Sequence, residues 1–354
     1  MDSYKHHVID LPKKVVVGEG ILDKIPLYLE ELGFRKKNVA VITGPTVYSK
    51  ISSKVIDILI DNGYEVQYWI VDNASKDLAD KVKAEAREAK PKIIAGIGGG
   101  KSIDIAKYVA SKIGKPFISI PTAASHDGIT SPFASLKGFD RPTSVRAVTP
   151  TAIIADINVI ANAPRRLLNS GVGDLIGKLV AVKDWRLAHR LKGEYYGEYA
   201  AQLALLSAKH VMRYHELIAS GNPEGVRIVV EGLISSGVAM CIAGSSRPAS
   251  GSEHLFSHAL DILAPKPALH GEQVGIGAVM MLYLYGDPKW KKVRNVLQKI
   301  GAPTTARELG IPEEIIIKAL TIAHTIRPRY TILGEKGLTW EAAEKLARAT
   351  GVID

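Results

Sequence analysis

Lys92-Ile-Ile-Ala-Gly-Ile-Gly-Gly-Gly-Lys-Ser-Ile-Asp104 runs from a short β-branched strand through three consecutive glycines into a helix. Glycines let the backbone approach a phosphate closely, and the unpaired N–H groups at the start of the following helix attract an anion. Two named motifs each fail here by one residue. The dinucleotide fingerprint GxGxxG fits at Gly96 and Gly98, but Lys101 holds its third glycine position. The P-loop pattern fits at Gly100-Lys-Ser102, but Ala95 stands where its first glycine belongs. A plain turn does not require three consecutive glycines, which are entropically costly, so the loop reads as a ligand cradle. Asp104, close behind the glycines, is unwelcome beside a γ-phosphate, which favours a dinucleotide over a nucleoside triphosphate.

The same rhythm extends outward from this loop. Val15-Val-Val17, residues 38–42, residues 66–71, residues 92–97 and Phe117-Ile-Ser-Ile120 are strand-like. Between them lie helical stretches at 47–62, from the cap Ser75 to before Pro91, and from Ser102 to Ile113. This alternation predicts βαβ units on a parallel sheet. Lys137-Gly-Phe-Asp-Arg-Pro142 between apolar flanks suggests a hairpin within 133–148, and Ala152-Ile-Ile-Ala155 one further strand. The loop Pro121-Thr-Ala-Ala-Ser-His-Asp-Gly-Ile-Thr-Ser-Pro132 follows a strand's carboxyl end, where ligands gather in such sheets. After Pro164, period-3.6 stretches broken by proline loops dominate. The expected division is an α/β nucleotide-binding domain over 1–162 and an all-α domain over 163–354.

Length and composition agree with two ordinary globular cores: 354 residues, 46% hydrophobic and 23% charged. The single cysteine, Cys241, excludes an intramolecular disulfide, suits a reducing cytoplasm and lies in an apolar run as a structural thiol. The first twelve residues have no signal-peptide pattern, and the apolar runs 228–243 and 274–284 fall short of a membrane span of about 18–20 residues. The chain is expected to be soluble. The net charge of +10 is scattered along the sequence with no nucleic-acid motif, so an anionic substrate and cofactor are its expected partners.

Three segments of the helical half carry potential metal ligands. Asp174 lies among glycines in Gly171-Val-Gly-Asp-Leu-Ile-Gly177. His254 and His258 are four apart in Gly251-Ser-Glu-His-Leu-Phe-Ser-His258, which places them on one helical face. His270 opens a helix after a proline-rich loop. Glu253 precedes the first histidine, so the pattern is not HExxH. Together, one carboxylate and two or three imidazoles suit a divalent metal with an open position.

The combination of Gly98-Gly-Gly-Lys-Ser-Ile-Asp104, Pro121-Thr-Ala-Ala-Ser-His-Asp-Gly128, Gly173-Asp174, Gly251-Ser-Glu-His254 and His270-Gly-Glu-Gln273 resembles the sn-glycerol-1-phosphate dehydrogenases. These belong to the superfamily of iron alcohol dehydrogenases, glycerol dehydrogenases and dehydroquinate synthase. The likeness extends to the closing Arg329–Leu338 segment. It implies a Rossmann-like N-terminal domain, a helical C-terminal domain and an active site in the cleft between them. It further implies NAD- or NADP-linked reduction of dihydroxyacetone phosphate to sn-glycerol 1-phosphate, for archaeal ether lipids, in a cytoplasmic homo-oligomer.

Carried over by position, Asp174, His254 and His270 would hold one zinc per subunit. Asp127, Asp174 and His258 would serve substrate and catalysis, with His258 a candidate either for passing a proton to the new hydroxyl or for merely positioning the substrate. Gly98, Gly99, Gly100, Lys101, Ser102, Ile103 and Asp104 would hold the cofactor. Thr122, Ala123, Ala124, Ser125 and Ser131 would complete its site. Two departures from the wider superfamily matter. Lys178 replaces the histidine that iron alcohol dehydrogenases carry four residues after the metal Asp, implying a three-ligand site and a cation for the substrate phosphate. Thr43 replaces the acidic residue that NAD-specific relatives often place at the end of the second strand, which leaves NADP admissible. Lys101, Lys137 and Arg141 are further candidates for that phosphate. The rival readings are a glycerol dehydrogenase, a dehydroquinate-synthase-like lyase, a P-loop ATPase and a non-catalytic basic binding protein.

Overall fold

Period-2 alternation inside each short strand gives the sheet two apolar faces. In Val39–Thr43 the side chains of Val39 and Val41 enter one core and those of Ala40 and Ile42 the other. Ala152–Asp156 divides in the same way, with Ile154 on the first face and Ile153 on the second. A sheet buried on both faces must be flanked by helices on both, which requires parallel strands with helical crossovers. The computed structural model, which describes residues 7–138 and 143–354, has this arrangement.

Strands β1 (Lys14–Gly18), β2 (Val39–Thr43), β3 (Val66–Ile70), β4 (Ile93–Gly98) and β5 (Phe117–Pro121) are followed by a separate antiparallel pair, β6 (Phe133–Leu136) and β7 (Thr143–Arg146), and then by β8 (Ala152–Asp156). The main sheet is parallel throughout, in the order β1-β8-β5-β4-β2-β3. The chain passes from β2 outward to β3 and then returns to β4 on the other side. The switch point, where a crevice opens at the strands' carboxyl ends, therefore lies between β2 and β4. The glycine loop sits there.

The expected helix at 47–62 is interrupted: Pro45–Val47 is α-helical, Tyr48–Ser52 forms a wider π turn, and Ser53–Asp61 is α-helical again. A one-residue widening leaves the apolar periodicity of a short segment almost unchanged, so the pattern could not reveal it. The predicted hairpin forms from β6 and β7; its tip at 139–142, including Arg141, lies outside the described residues.

Beyond β8 the described residues contain no strand. Five helices carry the site: α1 (Gly100–Ile113), α2 (Arg165–Lys192), α3 (Pro223–Ala243), α4 (Ser252–Leu263) and α5 (His270–Leu284). An unbroken run of α2, from Leu168 to Val182, is buried, so this helix is the axis of the helical half rather than a surface element. α3 extends beyond the run at 228–243 and has the length and apolarity of a membrane span, but 72% of its most apolar window is packed inside the protein, as in a core helix. Cys241 on α3 is buried with Sγ 3.6 Å from Thr149 Oγ1, and burial pushes its thiol pKa up. One apolar core runs continuously from Ile42, Ile94 and Ile153 of the sheet into Val172, Leu255 and Ile276 of the helices.

Candidate active site

α2 and α5 approach backbone to backbone, because glycine stands at the contact on both. A Cβ on Gly271 would lie 1.7 Å from the Ser170 carbonyl oxygen, and one on Gly173 would lie 2.1 Å from the Gly271 carbonyl oxygen. These two glycines flank His270 and Asp174, so the close approach brings the two side chains together. Gly271→Ala is expected to destabilise the fold by at least about 3 kcal/mol, since the obstacle is backbone that cannot rotate away. Chemical denaturation measures this; an unchanged midpoint would contradict the account.

α4 is fixed on the same axis. Asp184 of α2 accepts hydrogen bonds from the Ser252 N–H and Oγ, both at 2.7 Å, at the start of α4. The start of α5 is held by Glu272, which accepts from the Leu269 N–H at 3.0 Å and from Arg166 at 2.6 and 2.7 Å. The result is a cluster of Asp174, His254 and His270, with one ligand atom from each lying within 4.8 Å of the others.

Hydrogen bonds set the orientation of these groups. His254 Nδ1 donates to Glu253 Oε1 at 2.6 Å, so its Nε2 lone pair faces Asp174 Oδ1 at 3.3 Å. Two acceptors this close need a positive charge between them. A proton meets the need, and burial, which opposes it, is outweighed by Asp174 and Glu253, so the His254 pKa rises. A divalent ion meets it equally well, and a carboxylate with two imidazoles is an appropriate donor set. Ser257 Oγ lies 3.2 Å from His270 Nδ1, leaving Nε2 available, and burial followed by the charge of His254 keeps His270 well below the usual histidine range.

Lys178 is fully buried, with Nζ 2.8 Å from Asp174 Oδ1, 2.8 Å from Asp127 Oδ2 and 3.1 Å from the Ala249 carbonyl oxygen. Burial opposes its charge, the two carboxylates outweigh burial, and the pKa rises. Its three protons are committed, which corrects the expectation of a cation free for a substrate phosphate. Asp174 is held well below the carboxylate range: burial pushes it up, and Lys178, His254 and His270 overcome that. Asp127 accepts from Ser236 of α3 at 2.8 Å, and its own N–H donates to Asp174 Oδ2 at 2.9 Å.

A cleft of about 650 Å³ connects this cluster to the glycine loop. Gly99, Gly100, Lys101, Ser102 and Asp104 line it, as do Ala123, Ser125, Asp127 and Ser131. His254, His258 and His270 line its other end, with Asp174 buried beneath them. Gly98, Ile103, Thr122 and Ala124 lie behind this surface; the Gly98 carbonyl accepts from the Thr122 N–H at 3.0 Å, and Ile103 is core.

Thr43 is the expectation that fails on geometry. Its side chain is fully buried and bonded to Ser52 Oγ at 2.8 Å, while Gly44, Pro45, Thr46 and Asp72 face the cleft. An Asp at 43 would bury a carboxylate rather than select a cofactor. His258 is also reassigned. Its Nε2 lies 3.0 Å from Arg327 Nη2, which can only donate, so the ring proton sits on Nδ1, 3.4 Å from Asp261 Oδ2. Burial, then the Arg327 charge working against Asp261, lowers its pKa to about 4. Both ring nitrogens are thus engaged, and the neutral ring carries no spare proton at neutral pH.

Sequence reasoning missed three residues. Arg327 lines the cleft from a loop with no periodicity to mark it. Ser236 is hidden among the small residues of α3. His126 overlies the glycine loop: a Cβ on Gly100 would lie 2.1 Å from its Nε2.

The family model for iron-containing alcohol dehydrogenases matches residues 16–164. The glycerol-1-phosphate dehydrogenase [NAD(P)+] of Staphylothermus marinus is 66% identical over 349 residues, covering 98% of each chain. That of Hyperthermus butylicus is 59% identical over 348 residues, covering 98% of this chain and 99% of the relative. Among solved structures, glycerol dehydrogenase from Schizosaccharomyces pombe shares the fold with a TM-score of 0.80 at 24% identity, over 98% of this chain and 90% of that one. These identities over nearly the whole chain place it in the glycerol-1-phosphate dehydrogenase family.

Proposed function

We propose that the protein reduces dihydroxyacetone phosphate to sn-glycerol 1-phosphate with NADH or NADPH, at a site holding one zinc per subunit. The observation that carries this reading is the single cleft joining a dinucleotide-type glycine loop to the Asp174, His254 and His270 cluster. In a chain so similar to named glycerol-1-phosphate dehydrogenases, that cleft has an evident use. Residues 1–162 would serve the nucleotide, and 163–354 the metal and substrate. The product would supply the backbone of archaeal ether lipids. We place the enzyme in the cytoplasm as a homo-oligomer, without nucleic-acid or membrane partners.

Asp174, His254 and His270 would hold the metal, which supplies Lewis acidity to the C2 oxygen of the ketone. A dinucleotide at the glycine loop supplies the hydride. The chain's own residues do the rest. Lys178 keeps Asp174 ionised and holds both Asp174 and Asp127 in place. Ser236 orients Asp127 at the edge of the cleft. Neutral His258, held by Arg327 and Asp261, presents its ring to the substrate without competing for the proton of the new hydroxyl.

The reading is tested by NAD(P)H oxidation with dihydroxyacetone phosphate and with dihydroxyacetone, side by side. A preference of about tenfold to a hundredfold in kcat/KM is expected for each desolvated, charge-assisted contact to the phosphate that is retained in the transition state. Equal constants would move the chain to the glycerol dehydrogenases. Conversion of the ketose phosphate, with release of inorganic phosphate and no net NAD(P)H oxidation, would move it to the lyases.

A further inference from the structure

We propose that Arg327 is the residue that recognises the substrate's phosphate, an assignment that rests on the function proposed above. Its guanidinium is largely buried and lines the same cleft as the Asp–His cluster. A buried arginine ordinarily has a carboxylate partner, because an unpaired charge taken out of water is costly. Among the described residues Arg327 has none: both of its side-chain hydrogen bonds leave from Nη2, to Ser144 Oγ at 3.1 Å and His258 Nε2 at 3.0 Å. Both acceptors are neutral. Burial lowers its pKa. Nη1 and Nε make no hydrogen bond among the described residues, which leaves three N–H donors of the guanidinium for the oxygens of an anion.

Lys137 also lines the cleft, but it is exposed and sits beside Ala74, to whose carbonyl its backbone N–H donates; the further cations near the cleft are engaged. Lys178 is closed in by two carboxylates and a carbonyl. Arg329, two residues on, is bonded to the Ser250 carbonyl and Ser246 Oγ and so holds the 246–250 loop. Arg247 is paired with Glu194. Lys101 donates to the Asp72 carbonyl oxygen at 3.2 Å, at the glycine-loop end. Arg327 is instead one imidazole away from the cluster: it contacts His258, whose ring centroid is 5.7 Å from that of His270. A three-carbon ketone with its carbonyl at the cluster would carry its phosphate toward this guanidinium.

The test uses zinc-loaded enzyme with saturating NAD+ or NADH, so that the glycine loop is filled. In Arg327→Gln the ratio of kcat/KM for dihydroxyacetone phosphate over dihydroxyacetone is expected to fall about a hundredfold. Calorimetric binding of inorganic phosphate should weaken by a similar factor. Arg327→Lys, which keeps the charge but loses the fork, should fall between the two and recover mainly KM; it also decides the matter if Arg327→Gln does not fold. An unchanged ratio, or phosphate binding as tight as in the wild type, overturns the assignment. If the wild type shows no preference for the phosphorylated ketone, the proposed function fails, while phosphate calorimetry still judges Arg327.

Discussion

Replacing Asp174 by Asn, or His254 or His270 by Ala, is expected to lower turnover by about 10⁴-fold and to remove bound zinc at the same time. The magnitude follows from the role. Lewis acidity at a ketone oxygen contributes several kcal/mol to the barrier, and each 1.36 kcal/mol is a factor of ten. Three ligands are the minimum that holds an ion while leaving a position open, so losing one weakens binding and chemistry together. Glu253, which orients His254 at 2.6 Å, acts one step further out, and Glu253→Gln should weaken metal affinity by about 10–100-fold with the three ligands intact. Metal analysis alongside steady-state rates checks both claims. A wild-type preparation stripped of metal that keeps its full rate would end the metal hypothesis, as would a His270→Ala variant with stoichiometric zinc.

The parts legible in the sequence were those with local signatures. The glycine loop announces its strand and helix because both the turn and the helix start constrain nearby residues, and β4 and α1 lie where that pattern puts them. Likewise His254 and His258 share a face because four residues make about one helical turn. What the sequence could not convey is which side chain a buried group meets from another element. Thr43 ends the second strand as expected, yet period-2 alternation turns it inward to Ser52, and a single π turn decides where Ser52 stands. Lys178 was legible as a departure from a metal-ligand pattern, but its partner Asp127 is 51 residues away in sequence, so an ion pair appeared as a free cation. Arg327 had no local signature, because what sets it apart is that no carboxylate among the described residues pairs with it, a property of the packed interior alone.

Lys178 carries the second large effect. Its ammonium joins two carboxylates at 2.8 Å each with no exposure of its own, so Lys178→Met leaves Asp127 and Asp174 facing each other without their shared cation. Removing one partner of a buried ion pair costs about 3–5 kcal/mol, and the metal-free variant should be destabilised by that amount. Zinc changes the comparison. Lys178 bonds Asp174 Oδ1, the atom 3.3 Å from His254 Nε2, and a divalent ion held by Asp174 would supply the positive charge that the variant lacks. Ligand binding stabilises the folded state in proportion to the logarithm of concentration over Kd. Lys178→Met should therefore gain more stability from saturating zinc than the wild type does, narrowing the gap seen without metal. Denaturation curves of both proteins, each with chelator and with zinc, give the four numbers required. A metal-free variant as stable as the wild type would show that the lysine is not neutralising the two carboxylates. Equal zinc-induced gains would show that lysine and metal act on Asp174 independently, and that its role is confined to holding Asp127.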